Sequence, residues 1–226
     1  MSHLHIPDGI LPPWFWGAGL AVALLLLARA SRLARDASPQ RIAYQSALGA
    51  LMLAAMAIPL GPFEYHLTLA GPMGVLLGGA GAFQVAFVVS VILAFMGHGG
   101  LTVVGLNALI LGAAATLAHQ TFVAIPRLKP ALALALATAV GQAFAGTLWL
   151  GIVAWAMRLD APRPQGGEMA HLAPIAAVGI PLWLIGIVAE SVVAFGIGRF
   201  LGRVRPELLG RAAPRTAPAA AGGRAA

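Results

Sequence analysis

The sequence predicts an all-α integral membrane protein with seven transmembrane helices, the third of them short, an N-terminus outside and a C-terminus in the cytoplasm. Three observations lead to this fold class: the composition, the lengths of the apolar runs and the positions of the basic residues. Of 226 residues, 60% are hydrophobic and only 9% are charged, and the mean hydropathy is +0.88. Soluble domains carry about 25% charged residues, so the bilayer must solvate most of this chain.

The apolar runs define the individual spans, since a membrane helix needs about 20 apolar residues. Five suitable runs lie at 12–30, 42–60, 101–121, 131–157 and 175–199. A further run from 67 to 97 is too long for one ordinary span, and its glycine-rich residues 78–81 are too permissive for a helix interior. This run is either one broken span, giving six helices, or a short helix 67–78 followed by a span 81–96, giving seven.

The basic residues distinguish the two counts, because loops rich in Lys and Arg stay in the cytoplasm. Seven helices place all three basic clusters on one side, whereas six helices place the first cluster opposite the other two. The clusters comprise Arg29, Arg32, Arg35 and Arg41; Arg127 and Lys129; and the six arginines from Arg199 to Arg224. Seven helices are therefore favoured, and the net charge of +7 reports topology rather than nucleic-acid binding.

The chain then divides into an extracytoplasmic arm at 1–11, a seven-helix membrane domain at 12–205 and a disordered cytoplasmic tail at 206–226, which is rich in Ala, Pro, Gly and Arg. Cysteine is absent, which excludes disulfides, Cys-ligated zinc and thiol catalysis. No Walker-type phosphate loop is present, so this chain cannot itself hydrolyse ATP, and no His/Glu helix motif of a metallohydrolase is present either. An enzyme is not expected.

The histidines fall mainly on the predicted outer side, where His3, His5, His66, His98 and His171 all lie. His119 sits near the cytoplasmic end of its span and, like His171, is assigned no role. Imidazole is the commonest neutral metal ligand and suits zinc, copper, nickel and cobalt. The distribution therefore indicates a transition-metal site at the outer face.

The N-terminal arm is the most unusual stretch. His3 and His5 alternate, so an extended segment points both imidazoles to one side, and the turn residues 7–9 could fold the arm back over the outer mouth. If Met1 is removed, the amine of Ser2, an amide nitrogen and the His3 imidazole form a planar chelate of the kind that Ni(II) and Cu(II) favour. The alternative is a polar arm whose histidines are incidental.

Two further histidines adjoin glycine-rich or broken segments. His66 is predicted to start the short third helix, and transporters place binding sites at such interrupted helices. The alternative is a helix-entry histidine bonded to a nearby carbonyl. His98 lies in the tight turn 97–100, where it is expected to orient a metal ligand rather than bind metal itself, or to be part of the turn alone.

Three polar residues lie within the spans: Asn107, Gln142 and Glu190. An ionisable residue inside a membrane helix is costly and indicates a functional site. Glu190 is either protonated or paired across helices, whereas the two amides fit interhelical hydrogen bonding better. On the second span, Ala50 and Ala54 form a small-xxx-small pair that could dock another membrane subunit or pack within the chain's own bundle.

These residues resemble the CbiM/NikM family, the substrate-specific components of energy-coupling factor (ECF) transporters for cobalt and nickel. The likeness runs from His5 through residues 6–12, the pair Tyr65-His66, the segments 97–101 and 105–107 and the acidic position Glu190. It implies a seven-helix fold and a deep metal site made by the N-terminal amine, the neighbouring amide and imidazole, and a second imidazole. By position, those imidazoles are His5 and His66, supported by His98, Asn107 and Glu190.

The sequence departs from the family pattern at its start, where Met1-Ser2-His3-Leu4 precedes His5. In the family pattern that histidine directly follows the initiating Met. Either His3 takes the amine-amide-imidazole role, or His3, His5 and His66 supply three imidazoles, or translation starts at position 4.

The resemblance implies capture of Co2+ or Ni2+ at the plasma membrane of a bacterium or archaeon, with no permanently bound cofactor. The expected partners are an ECF transmembrane (T) component, two ATP-binding subunits and a small accessory membrane subunit. The rival function is metal-independent, either a membrane scaffold or an ECF component for an organic vitamin. A vitamin site would be expected to show clustered aromatic residues, which the outer loops lack.

Overall fold

The computed structural model describes residues 6, 8–9, 11–59, 65–160 and 169–210, without the side chains of 157–160, 169–176 and 178. This part of the chain is helical almost throughout. Its helices are α1 Pro13–Leu33, α2 Pro39–Ala57, α3 Ala70–Phe95, α4 Val104–Ala124, α5 Pro130–Asp160 and α6 Met169–Val204, followed by a 3₁₀ turn at Pro206–Leu209. Within the described residues, five helices are long and apolar enough to cross a membrane, namely all of these except α2. The prediction of an all-helical membrane protein is confirmed.

Helix α3 is not one straight rod, because Gly78 has non-helical dihedral angles of φ 72° and ψ 168°. A straight helix of 26 residues would span about 39 Å. Yet the rings of His66 and His98, which flank α3, have centroids only 5.5 Å apart. The chain therefore turns back on itself at Gly78, between a short helical arm at 70–77 and a longer one at 79–95, close to the predicted break.

The turn at Gly78 lies at the same end of the bundle as the loop between α1 and α2. Gln45 of α2 donates from Nε2 to the Gly81 carbonyl (3.3 Å) and to Gln84 Oε1 (2.9 Å). Gln84 in turn donates to the Ser31 hydroxyl near the end of α1 (3.3 Å). These bonds bring the first cluster of arginines, at 29–41, beside the Gly78 turn.

The loop between α4 and α5 lies at this end as well. An ideal Cβ on Gly79 would lie 3.4 Å from the Thr116 side chain, about two turns before the end of α4. Ala131, at the start of α5, lies close to Gly198 of α6. A Cβ on Gly198 would lie 2.8 Å from the Ala131 Cα. The described residues of all three basic clusters therefore share one end of the molecule, which we name the basic end.

Helices α3 and α4 form the centre of the bundle, with α1 and α5 against α4, α2 against α3, and α6 against α5. Glycines permit the closest approaches. A Cβ on Gly74 would lie 1.9 Å from the Ala115 carbonyl oxygen, and one on Gly105 would lie 2.4 Å from the Leu20 Cα. The central helices can thus bury apolar residues on nearly all sides, which suits their largely apolar sequences.

Two predicted boundaries differ in the structure. The tail was expected to be disordered from residue 206, but residues 206–209 form the 3₁₀ turn and Leu209 is buried, because it packs with Phe122 and Leu134. Residues 211–226 lie outside the described part. Helices α5 and α6 also extend beyond the predicted runs 131–157 and 175–199, because α5 reaches Asp160 and α6 starts at Met169. The backbone of His171 is therefore helical.

Candidate metal centre

The N-terminal arm enters the bundle at Ile6, which is fully buried. Its backbone amide donates to Asn107 Oδ1 (2.8 Å), and its carbonyl accepts from Asn107 Nδ2 (3.3 Å) and from the Gly100 amide (3.2 Å). Asn107 was expected to serve helix–helix bonding or to support the metal site. It clamps both main-chain groups of one arm residue rather than bonding to another helix, and its support of a metal site stays a prediction. His5 directly precedes Ile6 in sequence, and both His3 and His5 lie outside the described residues.

A second clamp is formed by Asp8. Its carboxylate accepts from the Thr102 hydroxyl, from the Thr102 amide (2.9 Å) and from the Leu101 amide (2.8 Å). These donors, the hydroxyl foremost, hold the pKa of Asp8 below its ordinary value despite some desolvation, because they favour the charged form. Asp8 and Gly9 lie in a turn, within the turn predicted at 7–9.

The turn that receives the arm depends on its glycines. Gly97 and Gly99 have φ values of 81° and 97°, which side chains rarely tolerate. Gly100 is needed for space instead, because a Cβ there would lie 2.3 Å from Asp8 Oδ1. The glycines around His98 therefore shape a receptor for the arm, in addition to placing this histidine.

His66 and His98 meet edge to face, with ring centroids 5.5 Å apart and planes at 73°. His66 is buried, and the Nδ1 of His98 is buried without a hydrogen-bond partner among the described residues. The prediction that His66 starts a helix is wrong, since α3 begins at Ala70 and His66 lies in an irregular segment before it. Such a segment lets the imidazole reach the turn that holds the arm.

The segment 65–69 is fixed on α6 by Glu190, which is buried. The Thr68 amide donates to Glu190 Oε1, and the Leu69 amide donates to Oε2 (3.2 Å). Leu69 has φ 53°, the left-handed conformation in which the irregular segment turns into α3. Glu190 was expected to be either protonated or paired across helices. The structure shows it bonded across elements, and its partners are backbone amides rather than a cation.

Helix α5 supports the same segment through Gln142. Its Nε2 donates to the Thr68 hydroxyl, which also accepts from the Ala70 amide (3.2 Å). The Gln142 carbonyl accepts from Trp183 Nε1 of α6 (3.2 Å). The Gln142 side chain thus bonds across elements, to the irregular segment before α3 rather than to another helix, and its main-chain carbonyl makes the bond between α5 and α6. Thr68 and Trp183 were missed, because nothing in the sequence distinguishes them from other polar or aromatic residues in apolar runs.

The structure therefore brings His66 and His98 together and fixes the arm and Glu190 around them. Within the described residues, no group of three or more His, Cys, Asp or Glu side chains could hold a metal ion. His119 lies far along α4 toward the basic end. Ala50 and Ala54 lie exposed on α2 and do not belong to this centre.

Solved structures share this architecture, and a relative is similar in sequence. The chain matches a "transition metal transporter" structure with a TM-score of 0.76 and 18% identity, covering 88% of this chain and 93% of that one. A truncated transition metal transporter matches with a TM-score of 0.75 and 18% identity, covering 87% and 97%. A Haemophilus influenzae protein whose name proposes metal transport is 29% identical over 216 residues, covering 92% of this chain and 98% of that one.

A protein family described as "Cobalt uptake substrate-specific transmembrane region" matches residues 5–208, which is nearly the whole chain. The match begins at His5 and covers the rest of the arm, all six helices and the first three residues of the 3₁₀ turn. Together with the helical membrane fold, it makes this chain a transmembrane component of metal uptake. The protein belongs to the CbiM family.

Proposed function

We propose that this chain captures Co2+ or Ni2+ for an ECF-type importer, with His3, His5 and His66 as candidate metal ligands. His98, Asn107 and Glu190 would support them. The observation that carries the proposal is the docked arm. Asn107 fixes Ile6, the residue next to His5, and the same turn that receives the arm carries His98 against His66. Imidazoles brought together in a buried site suit these two metals.

The ligand set has two versions that the docked arm accommodates. In one, the N-terminal amine, an amide nitrogen and the His3 imidazole form a chelate that is completed by His66. In the other, three imidazoles bind the metal. If the chain began with Met at position 4, the N-terminal amine would belong to the residue next to His5. The start of the family match at His5 supports this version.

The proposed topology has seven spans, with the arms 70–77 and 79–95 of α3 counted separately. The shared basic end would face the cytoplasm, because cytoplasmic loops are enriched in Lys and Arg. The arm and the two histidines would then face outward, in the plasma membrane of a bacterium or archaeon. Metal would be captured outside and released inside.

The proposed partners are an ECF transmembrane component, two ATP-binding subunits and a small accessory membrane subunit. The exposure of Ala50 and Ala54 supports a docking face on α2, because these small residues are not used to pack the chain's own helices. Beside them, a groove of about 570 Å³ between α1, α2 and α3 is lined by Ser31, Ala50 and Val88.

The test is isothermal titration of the purified protein with Ni(II), Co(II) and Zn(II). Changing His5→Ala or His66→Ala should abolish tight binding, because each removes a metal ligand. His119→Ala is the matched control, since it removes an imidazole far along α4 from the centre. Binding should also weaken in acid, because imidazole must be deprotonated to bind metal.

The wild-type titrations compare the metals directly, and repeating them on the chain that begins with Met at position 4 tests whether the residue beside His5 supplies the amine. Tighter binding by the shortened chain would favour the amine beside His5. Binding in both the His5→Ala and His66→Ala variants at the wild-type level would show that the site assignment is wrong.

A further inference from the structure

Glu190 uses both of its carboxylate oxygens on the backbone of one short segment. Its side chain is 1% exposed and accepts from the consecutive amides of Thr68 and Leu69. Within the described part of the chain, the only ion pair is Arg205–Glu207, so no cation compensates Glu190 there. The two amides also lie at the N-terminus of α3, where the helix dipole favours negative charge.

Starting a helix does not by itself require this buried carboxylate. Within the segment itself, the Thr68 hydroxyl already accepts from the Ala70 amide, the first of α3. An ionisable group in the membrane interior is costly to bury, so its presence calls for a further role. Glu190 additionally anchors two successive peptide groups of segment 65–69 to α6. This anchor fixes the direction of the segment as well as the point where it joins α3.

The other side of His66 is anchored on α6 too. The Tyr65 ring lies against Gly186, so closely that a Cβ on this glycine would lie 2.7 Å from Cε2 and 2.8 Å from the hydroxyl oxygen. Gly186 and Glu190 are four residues apart and therefore lie on one face of α6. His66 is thus bracketed by Tyr65 before it and by the Thr68 and Leu69 amides after it.

The His66 ring points from this bracket to His98. The segment lies outside α3, so the main-chain hydrogen bonds of a helix do not fix its direction. We infer that Glu190 is the positioning residue for His66, and that it sets the imidazole for metal binding by anchoring segment 65–69 to α6. This inference rests on the proposed capture of metal by His66.

The first test replaces Glu190→Gln. A glutamine keeps the shape but directs an NH2 donor at one of the two amide donors, so one bond is lost. Removing a group that orients a ligand costs about 10- to 100-fold in metal affinity. We expect Ni(II) and Co(II) affinity to fall in this range and the Co(II) absorption bands, which report ligand geometry, to shift. Ser191→Ala is the control, since it removes a neighbouring α6 hydroxyl with no partner among the described residues.

A second test leaves Glu190 unchanged and perturbs the other anchor. Gly186→Ala puts a methyl group into the Tyr65 ring and should displace the segment, lowering metal affinity about tenfold. Gly196→Ala is the matched control on the same helix, because a Cβ there meets nothing within 4 Å. It should bind metal as the wild type does, with the same Co(II) bands.

The outcomes separate the two proposals. If the wild type binds metal and a folded Glu190→Gln variant keeps its affinity and spectrum, the positioning role is refuted while the capture function stands. If Glu190→Gln does not fold, equal affinities of Gly186→Ala and Gly196→Ala refute it instead. If the wild type binds neither metal, the capture function fails and the role of Glu190 fails with it.

Discussion

The side chains of Asn107 and Asp8 both fix the arm, but they differ in chemistry. Asn107 binds both backbone groups of Ile6 inside the bundle, whereas the Asp8 carboxylate binds the turn at the surface. An amide is the side chain that can both donate and accept, which the Ile6 backbone requires. Asp8 faces three donors, which an anion satisfies best. The two residues are therefore not interchangeable with each other.

Asp8 should make the docking of the arm sensitive to acid. The pKa of the Asp8 carboxylate is lower in the folded protein than its ordinary value of 3.8. The carboxylate therefore stabilises the folded state fully above pH 3.8, and this stabilisation is lost as the pH falls through the lower pKa of the folded protein. Asp8→Asn should melt about 2–4 °C lower at neutral pH, the shift for about 1 kcal/mol, a modest figure because the site is exposed.

The measurement is the melting temperature of the detergent-solubilised wild type and Asp8→Asn between pH 7 and acid. The two curves should converge below the lowered pKa of Asp8 in the folded protein, because a protonated Asp8 has also lost its charge. Asp36→Asn, which changes an exposed carboxylate after α1, should follow the wild type throughout. A difference between wild type and Asp8→Asn that persists unchanged into acid would contradict the carboxylate clamp.

At the next scale, the reversal of α3 rests on one backbone conformation. Gly78 has φ 72° and ψ 168°, and a Cβ there meets nothing within 4 Å. Gly78→Ala therefore tests the backbone alone and should cost about 1–3 kcal/mol of stability. Because the reversal also brings His66 back to His98, metal affinity should fall as well. Thermal melting and metal titration of one preparation measure both effects.

Gly17→Ala on α1 is the control for this substitution. Gly17 is helical, and a Cβ there also meets nothing within 4 Å, so alanine should be tolerated or stabilise the helix. If Gly78→Ala melts and binds metal as Gly17→Ala does, the left-handed backbone at Gly78 is not essential to the reversal.

The sequence predicts the helices well because each is a long apolar run with a charged or glycine-rich boundary. The break near Gly78 is also predicted, since glycines interrupt the run there. The start of α3 at Ala70 is not, because its cap comes from Glu190, 121 positions after Leu69. No local pattern reports a bond of that separation, and the segment itself reads as the apolar beginning of a helix.

The candidate centre is predicted in part for a similar reason. Histidines are rare enough in this chain to be noticed, and His66 and His98 do meet. The anchors of His66 are common residue types whose role depends on packing, such as Thr68 and the pair Tyr65–Gly186. Asn107 was noticed as a polar residue in a span, but its partner is the main chain of Ile6, which carries no sequence signature.

The whole molecule has two chemically different ends and one open side. The arm and the paired histidines lie at one end, and the Lys- and Arg-rich loops lie at the other. Helix α2 contacts mainly α3 and leaves Ala50 and Ala54 exposed. The proposed function would use such a division, because metal capture and coupling to an ATP-driven partner would then take place on different surfaces.

This division predicts that docking can be blocked without loss of metal binding. Ala50→Leu together with Ala54→Leu would fill the small-residue face and keep a partner helix from approaching closely. We expect the double variant to bind metal normally and to lose co-purification with a co-expressed ECF transmembrane component. Val188→Leu, an enlargement at an exposed position of α6, should retain the complex.

Retention of the complex by the double variant would place the docking face elsewhere on the chain. Loss of metal binding in that variant would show instead that α2 contributes to the folding of the outer end. Either result is read from one affinity purification followed by titration of the eluted protein.

The clamp at Ile6 also limits how far the start of the chain can travel. Consecutive Cα atoms are about 3.8 Å apart, so the Cα of His5 lies within about 3.8 Å of this fixed point and the Cα of His3 within about 11 Å of it. If these histidines bind metal as we propose, so short a tether would raise their effective concentration at the docked arm. The rate at which metal escapes would then depend on how often the Ile6 clamp opens.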